Sequence, residues 1–300
     1  IYLVVRFRYN RGRRNCREVT MQKIAWITDS TCGLSPEFAK ENDIFIVPLN
    51  VLVNGQSFKE DIDITKEEFY KLLKEHGDNA KTSQPAFGDF IELYEKLKKE
   101  YDYGIAIHAS SQLTGTYQSS ISASEMTGFE TSVIDSKIGD YALGRMIQKG
   151  IQYVKSGESI DTVVSKLREL PNQAQMYLMP QNTEQLRKSG RVSAAQSLFA
   201  SLLNIHLILG FDNGKVIVKD KVRIKKRAKM KMFQLLSDAM EQHDLKEICI
   251  QHAGVRDQAE KWKSEIQERY HELIVHIQTL VPVAGVHTGH GTLCISWLKE

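Results

Sequence analysis

The sequence has 300 residues, of which 42% are hydrophobic and 26% are charged, with 19 Gly and 6 Pro. This composition excludes a disordered, collagenous or low-complexity chain, and the length suits one large domain or two ordinary ones. The longest nearly apolar stretch, 198–211, is too short and too interrupted by polar residues to span a membrane. The four cysteines form no CxxC pair, which favours a reducing compartment and argues against a thiolate zinc site: Cys16, Cys32, Cys249 and Cys294.

The formal charge of +3 comes from the first 20 residues, which hold six of the 40 basic residues and one of the 37 acidic residues. From Met21 onward, 34 basic and 36 acidic residues leave a net charge of −2. Residues 1–20 lack the layout of a secretory signal, because arginines follow a very short apolar run. We interpret them as a non-native or disordered leader, and a basic arm for nucleic acid is the alternative.

After Met21, short apolar runs alternate with amphipathic segments of helical length, which is typical of βαβ units. The sequence predicts strands at 23–28, 45–53, 103–108, 131–135 and 175–179. It predicts helices at 66–76, 87–100, 116–126, 139–155 and 160–169. The first half therefore predicts a mostly parallel α/β sheet, in a domain that we place at residues 21–175.

In the second half, the alternation of short apolar runs with amphipathic segments changes. We assign residues 176–300 to a second α/β domain with mixed or antiparallel strands. Asn213-Gly214 between two apolar runs predicts a β-hairpin. Further elements are predicted in chain order: a basic helix at 225–242, a strand at 247–252, a helix at 256–270, and strands at 273–279 and 292–298.

Common catalytic motifs are missing from the sequence. It contains no GxxxxGK[ST], no GxGxxG after a strand, no GxSxG and no HExxH. Four polar segments instead follow predicted strands, where open α/β sheets bind their ligands. They are TDST at 28–31, TSQP at 82–85, SSQLTGTYQS at 110–119 and PVAGVHTGHGT at 282–292.

Each polar segment also has a purely structural interpretation. The TDST segment can cap a helix and form a turn, or it can have a functional role as a loop. The TSQP segment can cap the helix that follows it, or it can present hydroxyl donors and a positive helix end to an anion. The third segment has more hydroxyl groups than one cap needs. In the fourth, glycines surround His287, while His287 and His290 make a weak metal pair because no Cys or carboxylate lies nearby in the sequence. We expect no metal ion.

Together with LRKSGRV at 186–192, these segments resemble, in order and spacing, the DegV family of bacterial fatty-acid-binding proteins. The resemblance covers essentially all of residues 21–300. It implies a two-domain α/β fold with a long-chain fatty acid, C14 to C18 such as palmitate, buried between the domains. It also implies that some members are the acyl-carrying, non-catalytic subunit of a fatty acid kinase and present the carboxylate for phosphorylation.

The resemblance assigns roles to individual residues of this sequence. Thr82, Thr114 and His287 match head-group contacts, and Arg191 and Arg223 match positions for partner or phosphate contact. The remaining ligand-binding candidates are their neighbours in the same motifs: Ser83, Ser111, Gly115 and Thr116. Two departures from the family pattern are Thr114, where serine is usual, and His290, where proline is usual. The first retains the hydroxyl group, and the second leaves the geometry of the loop open.

Physical chemistry is compatible with a lipid carrier. A carboxylate buried without Arg or Lys needs several hydrogen-bond donors, which hydroxyl groups and helix-end amides supply. Burying about fourteen methylene groups contributes on the order of 11 kcal/mol before ordering costs. The acyl tail would then supply most of the affinity, and the head-group contacts would set its orientation. Residues 198–211 are a candidate tunnel wall, with an ordinary buried helix as the alternative.

The sequence contains a dense run of basic residues, which we call the basic segment: Arg223, Lys225, Lys226, Arg227, Lys229 and Lys231. It can be a solvated helix face or a docking surface for an acidic partner or phosphate, and it lacks the aromatic residues of a nucleic-acid site.

Three functional hypotheses follow. The first is a fatty acid carrier, without a cofactor, that presents its ligand to the ATP-binding subunit of a kinase in the bacterial cytoplasm. The second is a stand-alone acyl- or phosphoryl-transfer enzyme that uses His287. The third is a lipid sensor or transport protein without a kinase. We expect no nucleic-acid partner and no integral membrane segment.

Overall fold

The computed structural model describes residues 22–181, 183–192 and 205–299. The predicted leader at 1–20 and the part of the apolar stretch at 198–204 lie outside these residues. The part of the chain that carries the first two sheets, residues 22–172, is called the N-terminal domain below, and residues from 174 onward are called the C-terminal domain.

The N-terminal domain contains a four-stranded parallel sheet and a small antiparallel sheet. Its elements are β1 Ile24–Asp29, α1 Pro36–Glu41, β2 Ile44–Val47, β3 Asn50–Val53, β4 Gln56–Lys59, α2 Lys66–His76, β5 Lys81–Ser83, α3 Phe87–Leu97, β6 Tyr103–His108, α4 Thr116–Thr127, β7 Thr131–Asp135, α5 Asp140–Lys155 and α6 Ile160–Glu169. The parallel sheet has the order β2-β1-β6-β7, and the small sheet has the order β4-β3-β5. The central strands β1 and β6 are buried over nearly their whole length, as expected for a sheet covered on both faces.

The C-terminal domain contains a six-stranded mixed sheet. Its elements are β8 Ala174–Met179, α7 Thr183–Ser189, β9 His206–Asp212, β10 Lys215–Val222, α8 Lys225–Gln242, β11 Glu247–His252, α9 Arg256–Arg269, β12 Ile274–Thr279, α10 Pro282–Thr288 and β13 Leu293–Leu298. The strand order is β10-β9-β8-β13-β11-β12, and β11 and β12 form the parallel pair. The predicted fold class, a parallel α/β sheet followed by a mixed α/β domain, is confirmed.

The predicted hairpin is confirmed, with Asn213 and Gly214 in its turn at φ values of 46° and 83°. Two positive φ angles are the requirement of a type I′ turn, which explains the Asn-Gly pair. The prediction of a single strand at 45–53 is wrong. Pro48 interrupts it, the backbone N–H of Leu49 bonds to Ser30 instead of a strand, and the chain passes from one sheet to the other.

Five short elements escaped the sequence analysis. Strands β4 and β5 have three or four residues and are largely exposed, so they show no clear hydrophobic alternation. Helices α1, α7 and α10 have six or seven residues, fewer than two turns, which is too short for a helical period to be recognised. Among the described residues, no helix has the length and apolar composition needed to cross a membrane.

Helix α5 packs closely on the parallel sheet because Gly150 faces Trp26. A Cβ atom at Gly150 would lie 2.6 Å and 2.8 Å from Cη2 and Cζ3 of the Trp26 ring. The ring and the helix backbone therefore share a space that only glycine leaves open.

We expect Gly150→Ala to lower the free energy of unfolding, because an overpacking cost of about 1–3 kcal/mol exceeds a helix-propensity gain of about 0.5–1 kcal/mol. Urea denaturation measures the change. Gly88→Ala is the matched control, since a Cβ there meets no atom within 4 Å and only the propensity gain remains. Equal stability of Gly150→Ala and the wild type would contradict the packing argument.

Candidate functional site

A cavity of about 470 Å³ lies between the two domains. Its polar lining residues are Thr31, Thr82, Ser83, Gln84, Ser111, Gln112, Thr114, Asp140, Arg191, His287 and Thr288. Its other lining residues are Leu49, Ala109, Leu113, Gly115, Ile138, Gly139, Met176, Leu178, Phe211, Val216, Val281, Val283 and Ala284. An elongated, mostly apolar molecule with one polar end matches this lining.

The polar end of the cavity is built around Thr82 and His287. Thr82 lies in β5, where it pairs with Val51 of β3, and His287 lies in the last turn of α10. The Thr82 Oγ1 atom is 3.0 Å from His287 Nε2, a hydrogen bond between groups 205 residues apart in sequence. The structure thus brings together two residues that the family resemblance assigned to the same head group.

His287 carries no charge near neutral pH. Burial, with a smaller contribution from the positive charge of Arg191, lowers its pKa from the ordinary value of 6.5 to about 4. A neutral imidazole can donate one hydrogen bond and accept another. Beside a hydroxyl group it offers a ligand a hydrogen bond without a fixed charge.

Arg191 lines the cavity, and its side chain is exposed to solvent. Its Nε donates to the carbonyl oxygen of Leu113 over 3.4 Å, and its Nη1 donates to that of Ser189 over 3.1 Å. The sequence predicts that hydroxyl and amide donors, without a cation, hold the carboxylate of the ligand. The structure instead places one guanidinium group within electrostatic reach of His287.

The loop after β6 supplies further hydroxyl groups. Thr114 Oγ1 lies 2.8 Å from Thr116 Oγ1, and Thr116 is fully buried behind it and does not line the cavity. Ser111 lines the cavity, but its hydroxyl donates to Asp135. Gly115 packs so closely on the side chain of Gln84 that a Cβ atom there would overlap Gln84 Oε1.

The TSQP segment does not cap a helix. Helix α3 begins at Phe87 without a side-chain cap, and the Ser83 hydroxyl accepts a hydrogen bond of 3.3 Å from Asn50. The capping interpretation of TSQP is therefore wrong for both hydroxyl residues. Thr82 and Ser83 both line the cavity.

Asp29 of the TDST segment fixes the start of the β6 loop. Its Oδ2 accepts a hydrogen bond from the Ala109 amide and lies 3.0 Å from His108 Nδ1, while Oδ1 accepts from the Thr31 amide. Burial alone would raise the pKa of Asp29, but the hydrogen bond and charge of His108, with the bonds from Thr31 and Ala109, outweigh it and lower the pKa. The capping interpretation of TDST is confirmed, because Asp29 caps a turn. Thr31 lines the cavity, and a functional role of this segment stays a prediction.

The segment 285–291 was predicted as a glycine-flanked loop, and this is wrong for its first part. Helix α10 continues to Thr288, and only Gly289 and Gly291 take positive φ angles. His290 lies against Gly254 and does not line the cavity. Within the described ranges, no three His, Cys, Asp or Glu side chains gather as a metal site.

Of the apolar wall from the C-terminal domain, the sequence analysis named only Phe211, the last residue of the candidate tunnel wall at 198–211, and the alternative of a buried helix is wrong for 206–211, which lies in β9. Met176 and Leu178 reach the cavity from β8, and Phe211 and Val216 from the hairpin β9–β10. Alternation along β8 marks Met176 and Leu178 as facing one side, but does not say which side holds a ligand. The hairpin is held over the site by the Ser110 hydroxyl, which donates to the Gly214 carbonyl over 2.7 Å.

Residues 23–300 match the family model described as "Uncharacterised protein, DegV family". The chain belongs to the DegV family. A DegV domain-containing protein of Staphylococcus aureus (strain COL) is 34% identical over 280 residues, covering 93% of this chain and 100% of that protein.

Solved DegV structures share the fold. One is DegV, a fatty acid binding protein from Bacillus subtilis, with a TM-score of 0.84 and 31% identity over 93% of this chain and 100% of that one. Another, from Thermotoga maritima, is reported to reveal a fatty acid binding function; its TM-score is 0.77, with 26% identity over 92% of this chain and 98% of that one.

In the ligand-free protein, we expect His287 to titrate near pH 4, because burial opposes its charged form. Imidazole NMR resonances followed against pH measure this pKa. In Arg191→Ala the pKa should rise but stay below 6.5, since burial remains when the guanidinium charge is removed. A His287 resonance that titrates near pH 6.5 in the wild type would contradict the buried site.

Proposed function

We propose that this protein binds a long-chain fatty acid in the cavity between its domains, with the carboxylate at Thr82, Thr114 and His287. The observation that carries the proposal is the cavity itself, which combines a wall of aliphatic and aromatic side chains with hydroxyl and imidazole groups around His287. Asp140 is the one carboxyl group among the described lining residues, and its pKa is raised by burial.

The head-group contacts suit a carboxylate that must bind and leave again. Hydroxyl groups of Thr82 and Thr114 can each donate one hydrogen bond, and neutral His287 can donate from a ring nitrogen. Such bonds to a charged acceptor are stronger than those between neutral groups, but weaker than a buried ion pair with a lysine. Arg191, on the exposed side, adds attraction without enclosing the carboxylate.

The cavity has room for an acyl tail. The cavity volume of about 470 Å³ falls in the range of about 300–1,000 Å³ that is usual for small-molecule sites. Burial of methylene groups then supplies the larger share of the affinity. The Bacillus subtilis and Thermotoga maritima relatives, both described as fatty acid binding, support the same class of ligand.

The finer parts of the proposal rest on the family resemblance. We infer a chain of C14 to C18, such as palmitate, no cofactor, and a cytoplasmic carrier that hands its ligand to the ATP-binding subunit of a fatty acid kinase. In this role the protein is not itself an enzyme. A lipid sensor or transport protein without a kinase uses the same cavity.

We expect Thr82→Val and Thr114→Val each to raise the Kd for palmitate about tenfold or more, because each removes a hydrogen bond to a charged group while retaining side-chain shape. Titration with a fluorescent fatty acid, and mass spectrometry of co-purified lipid, measure the loss. Thr162→Val, on an exposed face of α6 away from the cavity, is the control. Unchanged affinity in a variant that combines Thr82→Val with Thr114→Val would show that the carboxylate binds elsewhere.

The alternative, an acyl- or phosphoryl-transfer enzyme, has one observation in its favour. Thr82 and His287 are within the hydrogen-bond distance expected for a nucleophile and its base. Among the described residues, however, no carboxylate is hydrogen-bonded to His287, so nothing orients the ring as in a catalytic triad. ATP consumption or ester hydrolysis by the protein alone, lost in His287→Ala, would establish the enzyme and overturn the carrier.

The basic segment is our candidate docking surface for the kinase subunit. Lys229 pairs with Glu265 and Lys231 with Asp220, and Lys225 donates to Gln181. Arg223, Lys226 and Arg227 are exposed and form no ion pair with the described residues. Three free cations at the start of α8 leave an attractive surface for an acidic partner.

We expect Lys226→Glu with Arg227→Glu to reduce kinase-dependent acyl phosphorylation at least tenfold while leaving the Kd for palmitate unchanged, since these residues do not line the cavity. The assay combines the loaded protein, a bacterial fatty acid kinase ATP-binding subunit and ATP. Lys96→Glu with Lys99→Glu, an equal charge change at exposed positions in the last turn of α3 and directly after it, is the control. Unchanged phosphorylation would remove this surface from the proposal.

A further inference from the structure

Helix α10 forms the wall of the cavity that carries His287, and its first turn is held by two carboxylates of the N-terminal domain. The Val283 amide donates to Glu60 Oε1 over 2.7 Å, and the Val281 amide donates to Asp140 Oδ2 over 3.1 Å. Pro282 has no N–H group to offer. The free backbone donors at the start of this helix are therefore satisfied from across the domain interface.

Glu60 follows β4 and is 1% exposed. Its second oxygen bonds to the Ser30 hydroxyl, which itself accepts the amide of Leu49, a cavity-lining residue. A single carboxyl group thus connects α10 with the end of β1 and with the wall of the cavity. His287 lies four residues beyond Val283, about 6 Å along the helix.

Glu60 forms no ion pair with a cation in the described part of the chain. The acidic groups nearest to it are Asp61 on its own loop and Asp29 at the end of β1. Lys66 of α2 is directed to Asp61, at 3.9 Å. Tyr70 of α2 and Asp140 of α5 also face this region, and α10 itself contributes only His287 as a titratable group.

We propose that Glu60 is a positioning residue for the head-group site: its protonated side chain holds α10 and His287 against the N-terminal domain, and loss of that proton loosens the hold and speeds exchange of the bound fatty acid. The exchange part of this inference rests on the proposed function. The hold on α10 does not.

The direction of the pH effect follows from the two environments of Glu60. Burial raises its pKa to about 8 in the structure, while bonds from Ser30 and Val283 oppose the rise and Asp61 and Asp29 add to it. When α10 separates from the N-terminal domain, water reaches the carboxyl group and its pKa returns to the ordinary value near 4.3. At a pH between these two pKa values, Glu60 is protonated while α10 is docked on the N-terminal domain and ionised once α10 has separated. Rising pH therefore favours separation of α10 up to about pH 8.

The other titratable groups can be separated from Glu60. His287 influences opening only below its ordinary pKa of 6.5. Asp29 has its partners His108, Thr31 and Ala109 within its own domain, so opening at α10 leaves them intact. Asp140 acts in the same direction as Glu60, because burial raises its pKa as well. A substitution at Glu60 alone is therefore the informative one.

The test measures the dissociation rate of palmitate by stopped flow at several pH values, in the full-length protein and in Glu60→Gln. The wild-type rate should rise about 25-fold between about pH 6.5 and pH 8.5, the change that a pKa of about 8 gives. Glu60→Gln keeps an acceptor for Val283 and removes the titrating group, so its rate should stay low and should rise with pH much less than the wild-type rate, with Asp140 as the source of any remaining rise. The Ser30 hydroxyl, which donates to Glu60 Oε2 in the structure, can accept from the new amide group. Glu60→Ala should be fast at every pH. Glu95→Gln, an exposed position on α3, should behave as the wild type.

The ionisation of palmitate is the same for both proteins, so it cannot produce a difference between them. A pH dependence of Glu60→Gln that parallels the wild type, or a wild-type rate that is constant with pH, would overturn the proposal.

A second measurement keeps this inference apart from the proposed function. Hydrogen exchange of residues 281–288 without ligand, corrected for the intrinsic pH dependence of exchange, reports the hold on α10 directly. Protection should fall with pH in the wild type and fall much less in Glu60→Gln, where only Asp140 remains to titrate at the start of α10. If no fatty acid binds, the proposed function fails, and this exchange result alone decides whether Glu60 holds α10. Equal loss of protection in both proteins would refute that role.

Discussion

A carboxyl group removed from water has to find hydrogen-bond donors, and this constraint shapes the region between the two domains. Asp29 meets it with His108 and two backbone amides, which keep it charged and fix the loop that follows β6. Glu60 and Asp140 meet it with the free amides at the start of α10. The carboxylate of a bound ligand would have to meet the same constraint at Thr82 and His287.

The three protein carboxyl groups differ because their partners differ. Asp29 lies beside an imidazole, so its pKa is lowered despite complete burial. Glu60 has neutral donors and acidic neighbours, and Asp140 has neutral donors and the more distant charge of Lys66, so burial dominates and raises the pKa of both. The charged form is therefore favoured at Asp29, and the protonated form is favoured at Glu60 and Asp140 relative to the same groups in water.

The two domains contribute unequal chemistry to this cavity. Hydroxyl groups come from the N-terminal domain, on β5 and on the loop after β6. The imidazole, the guanidinium group and the apolar side chains of β8, β9 and β10 come from the C-terminal domain. The lining of the cavity is therefore complete only when the two domains are together.

The sequence by itself determined the family, the alternation of strands and helices, the Asn-Gly hairpin and the motif residues Thr82, Thr114 and His287, because these depend on local periodicity and on short motifs. Only the tertiary structure decided that Thr82 bonds to His287, that Thr116 lies behind Thr114, and that Pro48 divides the predicted strand at 45–53. It also decided the burial of Glu60 and its bond to α10, whereas the sequence presents Glu60 as one more acidic residue in a polar loop. Its contact with Val283 joins residues 223 positions apart, and no local pattern records the burial that sets its charge.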